Sequence, residues 1–418
     1  MLFSRSVAVD TESHVVVGQG TRGLPSPPLP LLQPPNPPSL SSHSGPVGGR
    51  IRPHLPYWES ITTDRWVLQI VRRGYSLPFN TAPPAMPPSF SCLPEDHLAV
   101  LCQEVTALLA KGALKRAPAP LVGCGCYYHC FLVSKKDKGL CPILDLWVLN
   151  LLLKKEKFKM PTLFALVPGD WMVALDLQDD YFHIPILPTH RPYLQFVVGN
   201  EHFQLTVLPF SLTSAPRVFT KVMAVDAAHL RRFGVSVFPY LDDWLLKANS
   251  PQKIAFHLPT TASLLHRVGF TINVSKSHQT ASQTLPFIGA VLDTVQFRTY
   301  PPEKRVQDIH AMILIFGFCE NDSEAAGPHG LLLVTHARWH MQALQWDLKF
   351  QWAQHQRNLS DRVQISEGTA KDQQWWLSNR YWVDGRSLFL PQPDLSIVMD
   401  ASFLGWGGRM GEVEIRGL

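Results

Sequence analysis

The sequence predicts an α+β fold, because strand-like and helix-like segments follow one another without the regular alternation of a doubly wound sheet. The segment 93–117 carries leucines and valines at helical spacing and reaches Gly112, which predicts an amphipathic helix that ends there. Two apolar strand-like stretches in 126–146 flank a basic turn, which predicts a hairpin. Hydrophobic residues make up 45% of the chain, enough to give these elements a core.

Further elements follow in the next hundred residues. The apolar run 171–177 predicts a strand, and a second hairpin is predicted around the turn Gly199-Asn200. Ser214 can cap a helix that has Pro216 in its first turn. The run 235–248 is again strand-like.

Composition narrows the class of protein. Only 17% of the 418 residues are charged, against ~25% in an average soluble protein, and the net charge is +5. The apolar runs fall short of the ~18 residues that span a bilayer, and the first residues lack the pattern of a signal peptide. We therefore expect an intracellular protein, nuclear or cytoplasmic, with two or three domains and no membrane partner.

Proline marks the first boundary. Eleven of the 36 prolines fall between Leu24 and Pro56, in a stretch whose composition is typical of polyproline-like linkers. We expect residues 1–56 to form a disordered, proline-rich leader.

The seven cysteines show no regular spacing, so a disulfide framework is not expected. Cys124, Cys126, His129 and Cys130 are dense enough to raise a zinc site. Adjacent residues of a strand point to opposite faces, so His129 and Cys130 do not easily join one tetrahedron. This favours buried free thiols over zinc.

Two acidic sites are embedded in apolar, strand-like sequence: Asp176, and the pair Asp242-Asp243. Burying carboxylates is costly unless a positive group compensates them. A polar hairpin turn is one explanation of the pair, although the turn lacks the usual Asn-Gly or Asp-Gly. A divalent metal explains both sites together, because carboxylates are hard oxygen ligands that Mg²⁺ prefers.

The segment Tyr240-Leu241-Asp242-Asp243 resembles the Tyr-x-Asp-Asp box of reverse transcriptases, and 176–186 resembles their first carboxylate motif. The other similar segments are a fingers hairpin, a Leu-Pro-Phe motif, a later palm motif and a primer-grip hairpin, at 131–150, 208–223, 269–277 and 285–294. All occur in the family's order. The flanking segments 61–79 and 337–348 most resemble the polymerase of DIRS-like tyrosine-recombinase retrotransposons. The similarity covers about residues 50–418.

The resemblance implies a right-hand polymerase fold with RNA-directed DNA polymerase activity. It places the fingers and palm at 57–292, the thumb and connection at 293–390 and a truncated RNase H-like segment at 391–418. The expected partners are an RNA or DNA template with its primer, and dNTPs. Two Mg²⁺ (or Mn²⁺) ions are expected, with Asp176 and Asp242 as principal ligands and Asp243 as a secondary one.

The resemblance also implies roles for residues that bind substrate. Tyr181 falls at the steric gate that selects deoxynucleotides; the alternative is an ordinary core tyrosine. Lys135 and Lys136 would hold the triphosphate or template, or equally form a solvated turn. Phe210 would pack on the nucleotide and template base, and Lys276 holds the place of a proposed general acid for pyrophosphate.

The last segment is similar to the opening of retroelement RNase H domains. Asp400 ends an apolar strand there and is followed by Ala-Ser and then Gly-Trp-Gly. Glu412 and Glu414 are too near to be the family's next catalytic carboxylates. We therefore expect no autonomous RNase H activity.

Four positions depart from the family pattern. Cys141 and Trp147 replace arginines of the fingers motif, Asp180 replaces a small residue, and Ser211 replaces a glycine. Loss of a phosphate-binding guanidinium costs transition-state stabilisation. The hypothesis is a degenerate copy with intact metal carboxylates and a damaged substrate-binding shell. The alternatives are a catalytically dead protein that only binds template-primer, and an unrelated hydrolase that uses the same acids.

Overall fold

A computed structural model describes residues 45–88, 94–134, 140–158, 166–316, 339–354, 366–378, 384–389, 397–402, 405–410 and 413–417. All belong to one compact unit, Pro38–Leu418. The helices are α1 Leu55–Ile61, α2 Arg65–Arg73, α3 Glu95–Ala110, α4 Trp147–Leu152, α5 Ala215–Arg232, α6 Pro251–Val268, α7 Glu303–Phe316, α8 Gln342–Gln354 and α9 Glu367–Leu377.

The strands are β1 Leu114–Arg116, β2 Cys130–Ser134, β3 Leu140–Leu144, β4 Trp171–Asp176, β5 Gln195–Val198, β6 Glu201–Leu205, β7 Ser236–Tyr240, β8 Asp243–Ala248, β9 His278–Ser282, β10 Thr284–Phe287, β11 Ala290–Asp293, β12 Arg298–Tyr300, β13 Arg386–Ser387, β14 Ile397–Ser402, β15 Gly405–Met410 and β16 Val413–Gly417. They form sheets in the orders β7-β8-β4-β9, β1-β6-β5, β10-β11-β12-β13, β14-β15-β16 and β2-β3. The mixture confirms the α+β prediction.

The sheet β7-β8-β4-β9 is the centre of the fold, and strand β4 is buried on both faces. Val173 and Leu175 point into the main core, which the helices α5 and α6 help to form. Met172 and Ala174 point the other way and pack against the hairpin β10–β11. This alternation follows the two-residue period of a strand. It places the hairpin β10–β11 beneath the strand that carries Asp176.

The locally patterned elements lie where the sequence predicts them. Helix α3 ends just before Gly112, whose φ is +71°. The hairpin β5–β6 turns at Gly199-Asn200, and β2 pairs antiparallel with β3. Ser214 occupies the N-cap position of α5 and Pro216 lies in its first turn, as predicted, although the side chain of Ser214 accepts no hydrogen bond from the helix.

Two expected boundaries differ from the structure. The predicted leader extends to residue 56, yet Val47 and Ile51 are buried and helix α1 begins at Leu55. Apolar side chains among the last prolines are what tie this end of the leader to the core. The rest of the predicted leader, residues 1–44, lies outside the described residues. The expected palm boundary at 292 also falls inside one sheet, because β12 pairs with β11.

The cysteine cluster is spread over different environments. Cys124 is exposed, whereas Cys126 and Cys130 are buried. The thiol of Cys126 donates a hydrogen bond to the carbonyl oxygen of Pro84 at 3.2 Å. Among the helices that the structure describes, none has the length and apolar character needed to cross a membrane.

Candidate active site

The two acidic sites meet at one end of the central sheet. Strands β7 and β8 are joined by a turn of two residues, Leu241 and Asp242. The pairing of β8 with β4 then places Asp243 directly opposite Asp176. The amide N–H of Leu177 donates to the carbonyl oxygen of Asp242 at 2.9 Å, which holds the turn against the end of β4. The Asp-Asp pair is therefore a tight turn and an acidic site at once.

The turn stores backbone strain. Leu241 has a φ of +55°, a conformation that a branched side chain rarely adopts. Leu241 also packs against the main core, which helps to hold it there. Strain of this kind is found at functional sites, where the surrounding structure fixes an unusual geometry.

The carboxylates repel one another. Burial, and then the charge of Asp242, raise the pKa of Asp243 to about 6. Burial also raises the pKa of Asp176, with a further contribution from Asp242. Asp242 is thus close enough for its charge to act on both neighbours, which makes it the centre of the cluster.

Two polar groups offset part of this repulsion, and a third holds the backbone of Asp176. The positive charge of Lys276 lowers the pKa of both Asp176 and Asp243, and the side chain of Asn273 lowers that of Asp176 by a hydrogen bond. The amide N–H of Asp176 donates to Oγ of Ser277 at 3.0 Å. Sequence reasoning missed Asn273 and Ser277. The sequence signal is the short polar side chains that alternate with apolar ones after Gly269. The pattern alone does not show which groups they contact.

Lys276 shares an open cleft with the acids. The cleft is lined by β4 and β8 on one side and by the tip of the hairpin β10–β11 on the other, and its polar side chains are Asp176, Asp243, Lys276 and His278. Ile288 and Gly289 form the tip, both with positive φ. The structure therefore brings Lys276 to the carboxylates.

Asp180 stands next to the cluster rather than in solvent. It is buried, and burial together with the charges of Asp242, Asp179 and Asp176 raises its pKa to about 7. A backbone hydrogen bond from Tyr181 acts in the opposite direction. A fourth carboxyl group thus lies beside the other three, at a position where the resemblance leads one to expect a small residue.

Tyr181 belongs to an aromatic group. Its ring centroid lies 5.0 Å from that of Phe210 and 5.2 Å from that of Phe219. Tyr181 is buried, whereas the side chain of Phe210 is 58% exposed. The charge of Asp242 acts on the phenol of Tyr181, so this ring lies close to the carboxylates. Phe210 has an open face on which a flat ring can stack.

The fingers residues are described only in part. Lys135 and Lys136 lie outside the described residues. Trp147 opens α4 with 66% of its surface exposed. From the same helix, Asn150 donates to the carbonyl oxygen of Ser211 and accepts from the amide N–H of Thr213, both at 2.9 Å. Asp400 lies in β14 opposite Gly407, in a three-stranded antiparallel sheet.

The cluster fits a divalent cation. Among the residues that the structure describes, no three His, Cys, Asp or Glu side chains form a ready-made metal site. Mg²⁺ does not require one, since it usually takes one or two carboxylates and completes its shell with water and substrate phosphates. Burial, with a further contribution from the charge of Asp242, raises the pKa of Asp176 and of Asp243, and a bound cation would stabilise the charged form of both groups.

The fold is a right-hand polymerase fold. A foamy viral protease-reverse transcriptase in complex with double-stranded DNA aligns with a TM-score of 0.56 at 14% identity, over 81% of this chain and 58% of that one. The same viral protein with an RNA/DNA hybrid aligns with a TM-score of 0.56 at 14% identity, over 81% and 44%.

Sequence comparison adds the class of domain. Residues 150–292 match the family model "Reverse transcriptase (RNA-dependent DNA polymerase)". The Gag-Pol polyprotein of Rous sarcoma virus subgroup C is 29% identical over 197 residues, covering 44% of this chain and 12% of that protein. The genome polyprotein of Petunia vein clearing virus is 29% identical over 154 residues, covering 35% and 7%. The chain thus spans about a tenth of the length of these relatives, and it carries a reverse transcriptase domain of the retroviral and retroelement Pol type.

Proposed function

We propose that this chain is an RNA-directed DNA polymerase that adds dNTPs to the 3′-hydroxyl of a primer. The observation that carries the proposal is the meeting of Asp176, Asp242 and Asp243 at one end of the central sheet, inside the segment that matches reverse transcriptases. Asp176 and Asp242 are the principal metal ligands in this proposal, and Asp243 is a secondary one. Divalent cations bound there supply Lewis-acid stabilisation of the attacking and leaving oxygens.

The other residues have supporting roles. Lys276 contributes positive charge beside Asp176, where it balances the carboxylates and faces the reacting phosphates. The buried ring of Tyr181 narrows the space for a ribose 2′-oxygen, and the exposed face of Phe210 stacks on the nucleotide or template base. The template-primer is held by its backbone, so binding is sensitive to salt and largely independent of sequence.

A second candidate is a polymerase fold that binds template-primer without catalysis. The buried Asp180 favours it, because it places a further carboxyl group beside the cluster that must receive a triphosphate, where the family has a small residue. The exposed Trp147, where the family has arginine, adds no positive charge for phosphate. Both features support the view of a degenerate copy, which we infer to derive from a DIRS-like retrotransposon with the start of an RNase H-like domain at β14–β16.

Primer extension on an RNA template with Mg²⁺ or Mn²⁺ tests the first candidate, with Asp242→Asn as the matched control. Extension by the wild-type chain that disappears in the variant supports polymerase activity. No extension by the wild-type chain, with template-primer binding retained in a gel shift, favours the second candidate. Loss of binding as well would contradict both.

A further inference from the structure

The residues that follow the proline-rich stretch contact the loop that carries Asp180 and Tyr181. We name residues 47–51 the N-terminal strap. Its backbone is hydrogen-bonded to two other segments: the N–H of Gly48 donates to the carbonyl oxygen of Lys111 at 2.8 Å, and that of Gly49 donates to Phe182 at 2.8 Å. The strap therefore contacts the loop 179–183, which carries Asp180 and Tyr181.

Glycine is required for this contact. A Cβ atom at Gly48 would lie 2.2 Å from the carbonyl oxygen of Gly112, and Gly49 has a φ of +68°. Val47 and Ile51 on either side are buried and anchor the strap. Close backbone approach of this kind fixes the position of the arginine that follows the two glycines.

That arginine starts a chain of side-chain contacts. Arg50 Nη1 donates to Oγ1 of Thr271 at 3.0 Å. The amide N–H of Thr271 donates to Nε2 of His183 at 3.3 Å, so Nε2 carries no proton. The proton of the neutral ring is then on Nδ1, which lies 3.1 Å from the carbonyl oxygen of Asp180 and donates to it.

The imidazole of His183 is held in this one neutral tautomer. His183 is fully buried, and burial lowers its pKa to about 4, with a further lowering by the charge of Arg50. The ring is therefore neutral at physiological pH, with one donor and one acceptor, and both are used. The chain of contacts ends on the peptide group that joins Asp180 to Tyr181.

The loop 179–183 needs support from outside. It begins at Asp179, whose φ of +50° is strained for a residue with a side chain. An ion pair between Lys111 and Asp179 at 2.7 Å holds the first residue. The contacts that begin at Arg50 hold the peptide group between Asp180 and Tyr181. They thereby fix the orientation of the Tyr181 side chain.

We propose that Arg50 is a positioning residue for nucleotide selection, which acts through Thr271 and His183 to fix the peptide before Tyr181. The role of Tyr181 as the gate rests on the proposed function, whereas the coupling between Arg50 and the loop does not. The coupling and the nucleotide selection are therefore tested by separate measurements.

Hydrogen exchange on the full chain tests the coupling. Arg50→Gln should speed amide exchange in peptides covering 177–184 by about 3–10-fold, the effect of losing one hydrogen bond, and leave the hairpin β7–β8 unchanged. Arg50→Lys, which still donates, should restore most of the protection. Arg52→Gln removes the same charge from an exposed neighbour and should match the wild type. Unchanged exchange at 177–184 in Arg50→Gln would overturn the proposal.

A double-mutant cycle separates the relay from general loosening. Thr271→Val removes the hydroxyl acceptor and keeps the shape of the side chain. If Arg50 acts through Thr271, the double variant should exchange like either single variant. Additive effects would show that Arg50 acts by another route.

The part of the proposal that concerns nucleotide selection is tested by measuring nucleotide binding rather than nucleotide incorporation. On an RNA template whose primer ends in a dideoxynucleotide, Arg50→Gln should reduce the ratio of dNTP to rNTP affinity and leave template-primer affinity unchanged. Arg50→Lys should recover the ratio. An unchanged ratio, with exchange at 177–184 accelerated, would refute the link to selection. Failure of the wild-type chain to bind any nucleotide would contradict the proposed function, and the exchange result would still decide the coupling.

Discussion

Asp176 and Asp243 lie directly opposite each other on the neighbouring antiparallel strands β4 and β8. Side chains at opposed positions of an antiparallel pair are on the same face of the sheet, so like charges there are destabilising. The fold tolerates them at a strained turn, with Lys276 as partial compensation. The presence of this repulsive pair at the end of the central sheet favours a role for the pair in binding a positively charged group.

The buried Asp180 should make stability depend on pH. Its pKa of about 7 in the folded state exceeds the ordinary value of 3.8, so the folded protein retains a proton that the unfolded chain releases. Its contribution to stability is therefore lost as the pH rises from about 4 to about 7. In metal-free buffer, Asp180→Asn should match the wild type near pH 4 and exceed it by about 2–4 kcal/mol at pH 8.

Urea unfolding across this pH range measures the effect. Asp308→Asn, at an exposed position of α7, should shift the free energy of unfolding little at any pH. A difference between Asp180→Asn and the wild type that does not grow with pH would contradict the burial of an ionisable group at this site.

Asp226 should be a source of instability. It lies on the buried face of α5 between Val222 and Leu230, is fully buried, and has no hydrogen-bond partner for either carboxyl oxygen among the described residues. Burial raises its pKa, so folding requires the neutral acid. Asp226→Leu should raise the free energy of unfolding by about 1–3 kcal/mol. Thermal unfolding measures this, and a lower Tm for the variant would show that the carboxyl group has a partner in solution.

The ion pair between Lys247 and Asp170 should support the far end of the β4–β8 pair. Both side chains are almost fully buried, with Nζ 2.8 Å from Oδ2. Lys247→Met should cost about 3–5 kcal/mol, because it leaves a buried carboxylate uncompensated. Adding Asp170→Asn should recover much of that loss. The exposed pair Lys371–Glu367 is the matched control, and Lys371→Met should change the free energy of unfolding by less than about 1 kcal/mol.

Tyr181 should govern sugar selection if it is the gate. Replacing its ring by a smaller side chain in Tyr181→Val should raise rNTP use relative to dNTP use by about 10–100-fold, since a lost steric exclusion is worth one to three kcal/mol. Tyr181→Phe keeps the ring and should keep the selection. Single-nucleotide insertion with matched dNTP and rNTP measures the ratio. Equal ratios in Tyr181→Val and the wild type would leave Tyr181 as an ordinary core tyrosine.

The sequence predicts the elements whose pattern is local. Helix α3 follows from its leucine spacing and Gly112, and the acidic pair is recognisable because apolar strands surround it. The state of His183 and the position of the strap depend on contacts between segments far apart in the chain, such as Thr271 with His183 and Gly49 with Phe182. Such contacts leave no periodic pattern in the local sequence. The sequence therefore predicts that the strap belongs to a disordered leader, whereas Val47 and Ile51 are buried in the structure.

Primer extension by a repaired chain tests the central claim, that the metal carboxylates are intact and the residues around the substrate are damaged. The repaired chain carries Cys141→Arg, Asp180→Ala and Ser211→Gly, and its control adds Asp242→Asn. We expect the repaired chain to extend a primer on RNA with Mg²⁺ far more than the wild type, and the control to show no extension. A repaired chain that extends no better than its Asp242→Asn control would contradict the account.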